Sequence, residues 1–206
     1  MYKIKKFVNA YRSSNTYILS NDTDNAIMID AGGPDVDVVN TWLENNNKQL
    51  VAILLTHEHA DHCLGLPQFY HQHKCDIYCT PECAKNIGIS KQNMSFYIDE
   101  ITTFEIDLPV KYVEDNQSLS IGGFELKVLK TPGHSPGGCC FYTQDLIFTG
   151  DTILNGIKSP VTFPHSSRKA YKASIDKILD VLQPKMLIWP GHGEAFSYVD
   201  KAQLVF

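Results

Sequence analysis

The sequence predicts an α/β chain with two mixed sheets and helices on their outer sides. Its 206 residues, 43% of them hydrophobic, are enough for one ordinary domain with a sizeable core. The first half alternates short apolar segments with helical patterns. The second half carries several strands, then one amphipathic helix and a last strand. We therefore expect a single domain over residues 1–206.

Strand and helix patterns alternate through the first half. Strands are expected at 2–8, 15–20, 26–30, 50–55 and 76–79. Helices are expected at 35–46, 64–74 and 81–87, and Pro34 and Pro81 suit helix starts. The continuous apolar run at 50–55 is typical of a strand that is covered on both faces.

The second half is clear only after Gly122 and Gly123, which mark a turn. Before them, alternation around 101–106 and 110–113 indicates strands. After them, strands are expected at 124–130, 139–142, 146–148 and 186–189. Residues 168–182 predict an amphipathic helix, which Pro184 ends.

Composition narrows the possible partners. The net charge of −5 gives no basic face for a nucleic-acid backbone. The first twenty residues lack the apolar stretch and cleavage site of a signal peptide. No run approaches the ~20 apolar residues of a membrane span. We expect a cytoplasmic protein with a small-molecule substrate and no nucleic-acid or membrane partner. The oligomeric state is not predicted.

The six cysteines are expected to be free thiols, because the chain is too large and signal-free for a disulfide-stapled mini-domain. Cys75, Cys79 and Cys83 recur every four residues, which leaves a separate metal cluster open. Cysteine zinc sites usually add a second pair or histidines. We favour buried small apolar residues in a strand and at a helix start.

A dense group of metal-ligand residues follows the apolar run at 50–55. His57, His59, Asp61 and His62 fall within six residues, and zinc accepts imidazole nitrogen and carboxylate oxygen. In an extended segment His57 and His59 project to the same side. A turn then directs Asp61 and His62 to a neighbouring point. One loop thus offers two ligand pairs, which suits two adjacent metals.

Three more candidate ligands are His134, Asp151 and His192. Each follows a predicted strand in a turn marked by glycine or proline. The carboxyl ends of strands are where open α/β sheets place their sites. Four such turns together are stronger evidence for a metal site than any one of them alone.

Other polar residues near these motifs are not predicted to act. His71 and His73 suit a polar helix end. Glu58 resembles the general base of His-Glu-x-x-His, but that motif needs histidines four apart on a helix, and here the spacing is two.

These motifs resemble those of the metallo-β-lactamase superfamily. The most specific is His-x-His-x-Asp-His at 57–62. Matching motifs follow in order: Thr-Pro-Gly-His-Ser-Pro-Gly at 131–137, Thr-Gly-Asp-Thr at 149–152 and Pro-Gly-His-Gly at 190–193. Residues 29–33 look like the family's first motif. The resemblance covers essentially the whole chain. Among branches it looks most like glyoxalase II (hydroxyacylglutathione hydrolase), because Asp61 and His62, rather than a cysteine, would serve the second metal.

The resemblance implies a four-layer αβ/βα sandwich, the metallo-β-lactamase fold, with two divalent metals at one sheet edge. Zinc is expected first, with iron or manganese as alternatives. The implied ligands are His57, His59 and His134 for one metal, Asp61, His62 and His192 for the other, and Asp151 as the bridge. Asp30 either orients a ligand or is only a turn residue at a strand end.

The implied chemistry is hydrolysis. Two metals roughly 3.5–4 Å apart share a water and lower its pKa, so that hydroxide attacks the carbonyl of a small thioester, ester or lactone. A metal also stabilises the oxyanion that forms. Asp61 would be both a ligand and the catalytic residue that orients the hydroxide.

Three alternatives use the same residues differently. A mononuclear iron oxidoreductase, like the persulfide dioxygenases of this fold, would use only His57, His134 and Asp151. The acidic pI of about 5.9 disfavours a nucleic-acid-processing enzyme. The intact ligand set disfavours a non-catalytic metal-binding protein.

The segment after Asp151 departs from the glyoxalase II pattern. Relatives that act on glutathione thioesters carry Gly-Arg-(Ser/Thr)-Asp there, whereas residues 155–160 read Asn-Gly-Ile-Lys-Ser-Pro. Glutathione recognition is therefore not predicted. Loops 88–108 and 155–168 are expected to shape the pocket, with Phe163, His165 and Arg168 as candidate contacts. Cys63 is expected to be a packed thiol, with metal ligation or oxidation as the alternative.

Overall fold

A computed structural model describes residues 2–206 and contains two six-stranded sheets. The strands are β1 (Lys3–Val8), β2 (Asn15–Ser20), β3 (Asn25–Ile29), β4 (Gln49–Leu54), β5 (Asp76–Cys79), β6 (Lys111–Tyr112), β7 (Ser118–Ile121), β8 (Phe124–Lys130), β9 (Cys139–Tyr142), β10 (Leu146–Gly150), β11 (Leu187–Pro190) and β12 (Phe196–Ser197). The helices are α1 (Val36–Asn45), α2 (Ala60–Cys63), α3 (Leu66–His73), α4 (Pro81–Ile87) and α5 (Arg168–Val181). Short 3-10 helices occupy Ser95–Tyr97 and Lys201–Gln203.

Both sheets are mixed, as predicted. The first has the order β1-β2-β3-β4-β5-β6, antiparallel from β1 to β3 and parallel from β3 to β6. The second has the order β12-β11-β10-β9-β8-β7 and is parallel only between β10 and β11. The parallel pairs carry their carboxyl ends to one edge, where the candidate ligands follow β4, β10 and β11.

Three hydrophobic clusters separate four layers. The central cluster joins the facing sides of the sheets, for example Leu54 of β4 and Phe148 of β10. A second packs the outer side of the first sheet against α1, α3 and α4, and a third packs the second sheet against α5. Since alternate residues of β4 enter different clusters, the apolar run at 50–55 is covered on both faces. The predicted αβ/βα sandwich is confirmed.

The prediction of a strand at 101–106 was wrong. Residues 101–110 contain no strand. The segment is fixed by side chains instead, because the Phe104 carbonyl accepts hydrogen bonds from Asn93 Nδ2 (3.0 Å) and Ser95 Oγ (3.1 Å). Alternation also arises when an irregular segment buries residues such as Ile106 against the core. The short strands β7 and β12 were missed.

All six cysteines are free and buried, as predicted. Cys79 lies in β5 and Cys83 in the first turn of α4, and both belong to the cluster outside the first sheet. Among residues 2–206, no group of candidate metal ligands includes a cysteine. In the same part of the chain, no helix has the length and apolar character needed to cross a bilayer.

Candidate metal centre

The four strand-end turns bring all seven predicted ligands together. His57 and His59 leave β4 in an extended segment, and α2 then begins at Ala60. This short helix replaces the predicted simple turn and carries Asp61 and His62. The remaining ligands follow the second sheet, namely His134 after β8, Asp151 directly after β10 and His192 after β11.

The turn after β11 approaches the site closely. A Cβ added at Gly191 would overlap the Oδ1 atom of Asp151 and lie 2.7 Å from Cε1 of His62. Only glycine leaves room for both side chains, so the close packing requires a glycine immediately before His192.

Three histidines form one half of the site, which we call the three-histidine group. One ring nitrogen each of His57, His59 and His134 lies within 4.8 Å of the others. His134 Nε2 and His59 Nδ1 are 3.0 Å apart. All three rings are buried. Three buried imidazoles around one point form a donor set that suits zinc.

Asp61, His62 and His192 form the other half, which we call the mixed group. Their ligand atoms also lie within 4.8 Å of one another. Asp61 Oδ2 is 3.2 Å from His192 Nε2 and 3.7 Å from His62 Nε2. One carboxylate and two imidazoles are again ligands that a divalent cation accepts.

Asp151 lies between the two groups. Its Oδ2 is 3.5 Å from Nε2 of His134 in the three-histidine group and 3.4 Å from Nε2 of His192 in the mixed group. Its Oδ1 is 3.4 Å from Nε2 of His62. The carboxylate thus contacts both halves at once.

Hydrogen bonds behind the site orient three of the imidazoles. His57 Nδ1 lies 3.1 Å from Thr56 Oγ1, His62 Nδ1 lies 2.8 Å from Asp30 Oδ2, and His134 Nδ1 lies 2.8 Å from the Pro160 carbonyl. A carbonyl and a carboxylate accept only, so these Nδ1 atoms carry the protons at His134 and His62. The Nε2 lone pairs of His57 and His134 then face the centre, as in metal-ligating histidines, and Nε2 of His62 would do so once a cation displaced its proton.

A test of metal fit comes from unpaired polar atoms. His57 Nε2, His62 Nε2 and Asp151 Oδ1 are buried and make no hydrogen bond among the described residues, although the last two lie 3.4 Å apart. Buried polar atoms without partners are rare because they lose hydration with no compensation. All three face the centre, so the residues fit bound cations.

Asp30 braces both ends of the loop between β4 and α2. Its Oδ1 accepts a hydrogen bond from the Thr56 amide and its Oδ2 from Thr56 Oγ1, both at 2.7 Å. The same Oδ2 contacts His62 Nδ1. Asp30 has a left-handed backbone with φ of 56°, which aspartate tolerates better than most residues. Asp30 is therefore more than a turn residue.

The three-histidine group is held in its neutral form. Burial and the neighbouring imidazoles hold the pKa of His57 well below its usual value. Burial lowers the pKa of His59 to about 3 and also lowers the pKa of His134. Neutral imidazoles keep the lone pairs that a cation needs.

The mixed group is charged. Burial opposes the charge on His62, but the carboxylates around it, led by Asp151, outweigh burial and raise its pKa well above the usual value. Burial also opposes the charge on His192, but its contacts with Asp151 and Asp61 raise the pKa of His192 to about 9. Conversely, these histidines hold the pKa of Asp151 well below its usual range despite burial. A bound cation would replace these protons.

Glu58 is a structural carboxylate that sequence reasoning missed. It is fully buried between His57 and His59. Its oxygens accept hydrogen bonds from Asn86 Nδ2 (2.8 Å), Ser135 Oγ (3.0 Å) and the Gly137 amide (3.1 and 3.2 Å). Glu58 therefore ties the loop of His57 and His59 to the turn that carries His134. It points away from the cleft and is no general base, as predicted.

Comparison with known proteins assigns the chain to a family. Residues 10–192 match the metallo-beta-lactamase superfamily. A hydroxyacylglutathione hydrolase of Idiomarina loihiensis is 33% identical over 139 residues, which are 68% of this chain and 46% of that protein. The chain therefore spans less than half of that relative's length. A Streptococcus pyogenes protein named probable metallo-hydrolase is 31% identical over 201 residues, covering 94% of this chain and 84% of that protein.

The chain belongs to the metallo-beta-lactamase superfamily. The crystal structure of the BLEG-1 B3 metallo-beta-lactamase superposes with a TM-score of 0.87 at 28% identity, and the match covers 95% of this chain and 94% of that one. The resemblance read from the motifs is confirmed, including hydroxyacylglutathione hydrolases among the relatives.

A cleft of about 650 Å³ opens over the three-histidine group and the mixed group. Its lining includes His59, Asp61, Asp151 and His192. The other lining side chains come from three loops: Tyr11, Arg12, Met94, Tyr97, Ile98, Leu154, Ile157, Lys158, Pro160 and Phe163. Both loops predicted to shape the pocket contribute.

The individual pocket predictions had mixed outcomes. Phe163 lines the cleft, with its ring centroid 5.4 Å from that of His59. His165 and Arg168 do not line it; Arg168 begins α5 and lines a neighbouring cleft instead. Tyr11 and Arg12 were missed, because the loop between β1 and β2 carries no motif.

Cys63 is a packed thiol, as expected. It is fully buried in the cluster outside the first sheet, and its Sγ lies 3.3 Å from the Glu58 carbonyl. Burial raises the pKa of the Cys63 thiol well above its usual value. A protonated thiol on the far side of α2 neither ligates nor oxidises readily.

Proposed function

We propose that this superfamily member is a metal-dependent hydrolase that holds two divalent cations and cleaves a small thioester, ester or lactone. The observation that carries the proposal is the set of buried, unpaired donor atoms in both halves of the site, joined by Asp151. A site for a single cation would leave one half without a function.

The residues divide the binding between them. The three-histidine group would hold one cation and the mixed group the other, with Asp151 as ligand to both. Nitrogen and oxygen donors without thiolate favour zinc, while iron and manganese are also accepted by such sites. When bound, two such cations supply Lewis acidity and lower the pKa of water toward neutrality.

Asp61 and the cleft supply the rest of the chemistry. The Asp61 side chain lines the cleft, where its carboxylate would accept a hydrogen bond from the attacking water and orient it. Phe163, Leu154 and Ile98 make an apolar wall that excludes bulk water and places the carbonyl against the site. The leaving thiolate or alkoxide departs toward the open mouth of the cleft.

The experiment is a metal analysis combined with a hydrolysis screen over thioesters, lactones, phosphodiesters and β-lactams. We expect about two metals per chain, loss of turnover on chelation and recovery on metal return. Asp151→Asn should lower turnover by at least about 10²-fold, the scale of losing one transition-state electrostatic contact. Asp145→Asn, in an exposed turn, is the matched control.

Two results would overturn the proposal. One is full turnover in metal-stripped protein. The other is oxygen consumption with a persulfide and about one iron per chain, which would assign the mononuclear iron chemistry of His57, His134 and Asp151 instead.

A further inference from the structure

A second cleft, of about 550 Å³, lies beside the first and shares only Lys158 with its lining. It is bounded by segment 158–161, α5 and the last 3-10 helix. Four cationic side chains line it: Lys158, Arg168, Lys172 and Lys201. Asp176 is the one carboxylate side chain among the lining residues. We call this the basic cleft.

The cations of the basic cleft are unpaired. Among residues 2–206, the salt bridges of lysine or arginine involve Lys6, Lys111, Lys130 and Lys177, none of which lines this cleft. Four like charges repel one another, and they gather here although the chain has a net charge of −5. A local excess of positive charge over a concave surface attracts anions.

The basic cleft also has apolar walls. Val161, Tyr171 and Ile175 lie between the charged side chains. Arg168, Lys172 and Ile175 share one face of α5, because residues three and four apart are neighbours on a helix. The cleft therefore suits a ligand that carries several negative charges together with an apolar or aromatic part.

Segment 158–161 is a wall shared by the two clefts. Lys158 lines both. Beyond it the side chains alternate, because Pro160 lines the first cleft while Ser159 and Val161 line the basic cleft. A molecule whose carbonyl lies at the metal centre can extend past Lys158 into the basic cleft.

We propose that the basic cleft binds a phosphate-bearing group on the thiol part of an elongated thioester, with coenzyme A as the representative chemistry. A single carboxylate would leave most of the positive charge unpaired, whereas two or more phosphates match it. This inference rests on the proposed hydrolase function. In the reaction, water oxygen bonds to the carbonyl carbon and the carbon–sulfur bond breaks. The thiol keeps one proton, and the acid product releases another as it ionises.

Binding is tested without hydrolysis. The probe is adenosine 3′,5′-bisphosphate, which lacks a thiol and so tests the basic cleft alone, in protein with and without metal. We expect binding that weakens with salt, and at least about tenfold weaker binding by Arg168→Glu/Lys172→Glu, the scale of a lost charge-assisted contact. Lys3→Glu/Lys169→Glu makes the same change of charge outside the cleft and should bind as wild type does. Adenosine, which has no phosphate, should bind far more weakly.

Kinetics then link the cleft to the substrate. We compare a coenzyme A thioester with the pantetheine thioester of the same acyl group. Wild type should show a lower KM for the coenzyme A thioester than for the pantetheine thioester. Arg168→Glu/Lys172→Glu should raise the KM for the coenzyme A thioester relative to that for the pantetheine thioester. The basic cleft is overturned as a phosphate site if the cleft variant and the control variant bind the bisphosphate equally well. It is also overturned if adenosine binds as tightly as the bisphosphate. Probe binding with no hydrolysis of either thioester overturns the hydrolase function and the thioester, and leaves only an anion site.

Discussion

The two halves of the candidate metal centre differ in their protonation before a cation binds. The three-histidine group is buried and uncharged, because burial holds the pKa values of His57 and His59 low. In the mixed group His62 and His192 are protonated, because the neighbouring carboxylates raise their pKa values. A cation enters the first half with no net release of protons, whereas in the second half it must replace the protons on His62 and His192.

Each half also has its own buried carboxylate behind it. Asp30 supports His62 of the mixed group directly. Glu58 supports the three-histidine group indirectly, by joining the loop of His57 and His59 to the turn of His134. The first contact orients a ligand, and the second holds two chain segments together. Substitutions at these two positions should therefore have different consequences.

The largest expected effects come from breaking one half at a time. His57→Ala and His192→Ala should each leave about one metal per chain, because the other half keeps its ligands. Each should lower turnover by about 10²–10³-fold, the usual cost of losing one electrostatic contact to the transition state. Metal analysis and kcat measure this. Retention of full metal content and turnover by His192→Ala would contradict a working mixed group.

The two buried carboxylates should separate metal affinity from stability. Asp30→Asn should weaken metal binding by about 10–100-fold, the usual cost of losing a hydrogen bond behind a ligating histidine. Glu58→Gln should lower the free energy of unfolding by about 1–3 kcal/mol. Both Glu58 oxygens accept hydrogen bonds, so the glutamine NH2 group would face a donor in either orientation of the side-chain amide. Equilibrium metal titration and denaturant unfolding measure the two effects.

The control for this pair is the metal-free protein. There, Glu58→Gln should keep its loss of stability, because Asn86, Ser135 and Gly137 do not depend on metal. Glu105→Gln, whose carboxylate is exposed, should change little. If Glu58→Gln lowers metal affinity at unchanged stability, the distinction between the two carboxylates is wrong.

The smallest expected effect is a two-sided pH dependence of the metal-free protein. Below the ordinary histidine pKa of about 6.5, unfolding takes up protons on His57 and His59, so stability is lost as the pH falls. Above it, the folded state keeps a proton on His192 up to about pH 9, so stability is lost as the pH rises through that range. Denaturant unfolding across pH should show a maximum near the ordinary histidine pKa of about 6.5. His192→Ala should reduce the loss on the alkaline side and leave the acid side unchanged, while His62, whose pKa is also raised, keeps the remaining alkaline loss.

Much of the fold and the ligand set could be predicted because their signals are local. The strands Asn15–Ser20 and Phe124–Lys130 and the helix Pro81–Ile87 have the predicted bounds, since apolar periodicity and Pro81 mark their ends. The seven ligands were predictable as a set because each follows an apolar strand. The structure brings them together, while their roles as ligands remain a prediction.

What escaped prediction depends on contacts distant in the chain. Glu58 meets Asn86, Ser135 and Gly137, which are 28, 77 and 79 residues away, and no periodicity indicates such partners. Tyr11 and Arg12 reach the cleft from a loop between two antiparallel strands. The alternation at 101–106 was misleading because side-chain hydrogen bonds from Asn93 and Ser95, rather than strand pairing, satisfy its backbone.

Segment 158–161 ties substrate choice to the integrity of the metal centre. Its alternating side chains face two clefts, while the Pro160 carbonyl holds His134 Nδ1 at 2.8 Å. Inserting or deleting one residue here would exchange the side chains between the clefts and withdraw the carbonyl from His134. New specificities should therefore arise by exchanging side chains at Lys158 or Val161 at constant loop length. A loop transplanted from a relative would succeed only if it brought its own support for that histidine.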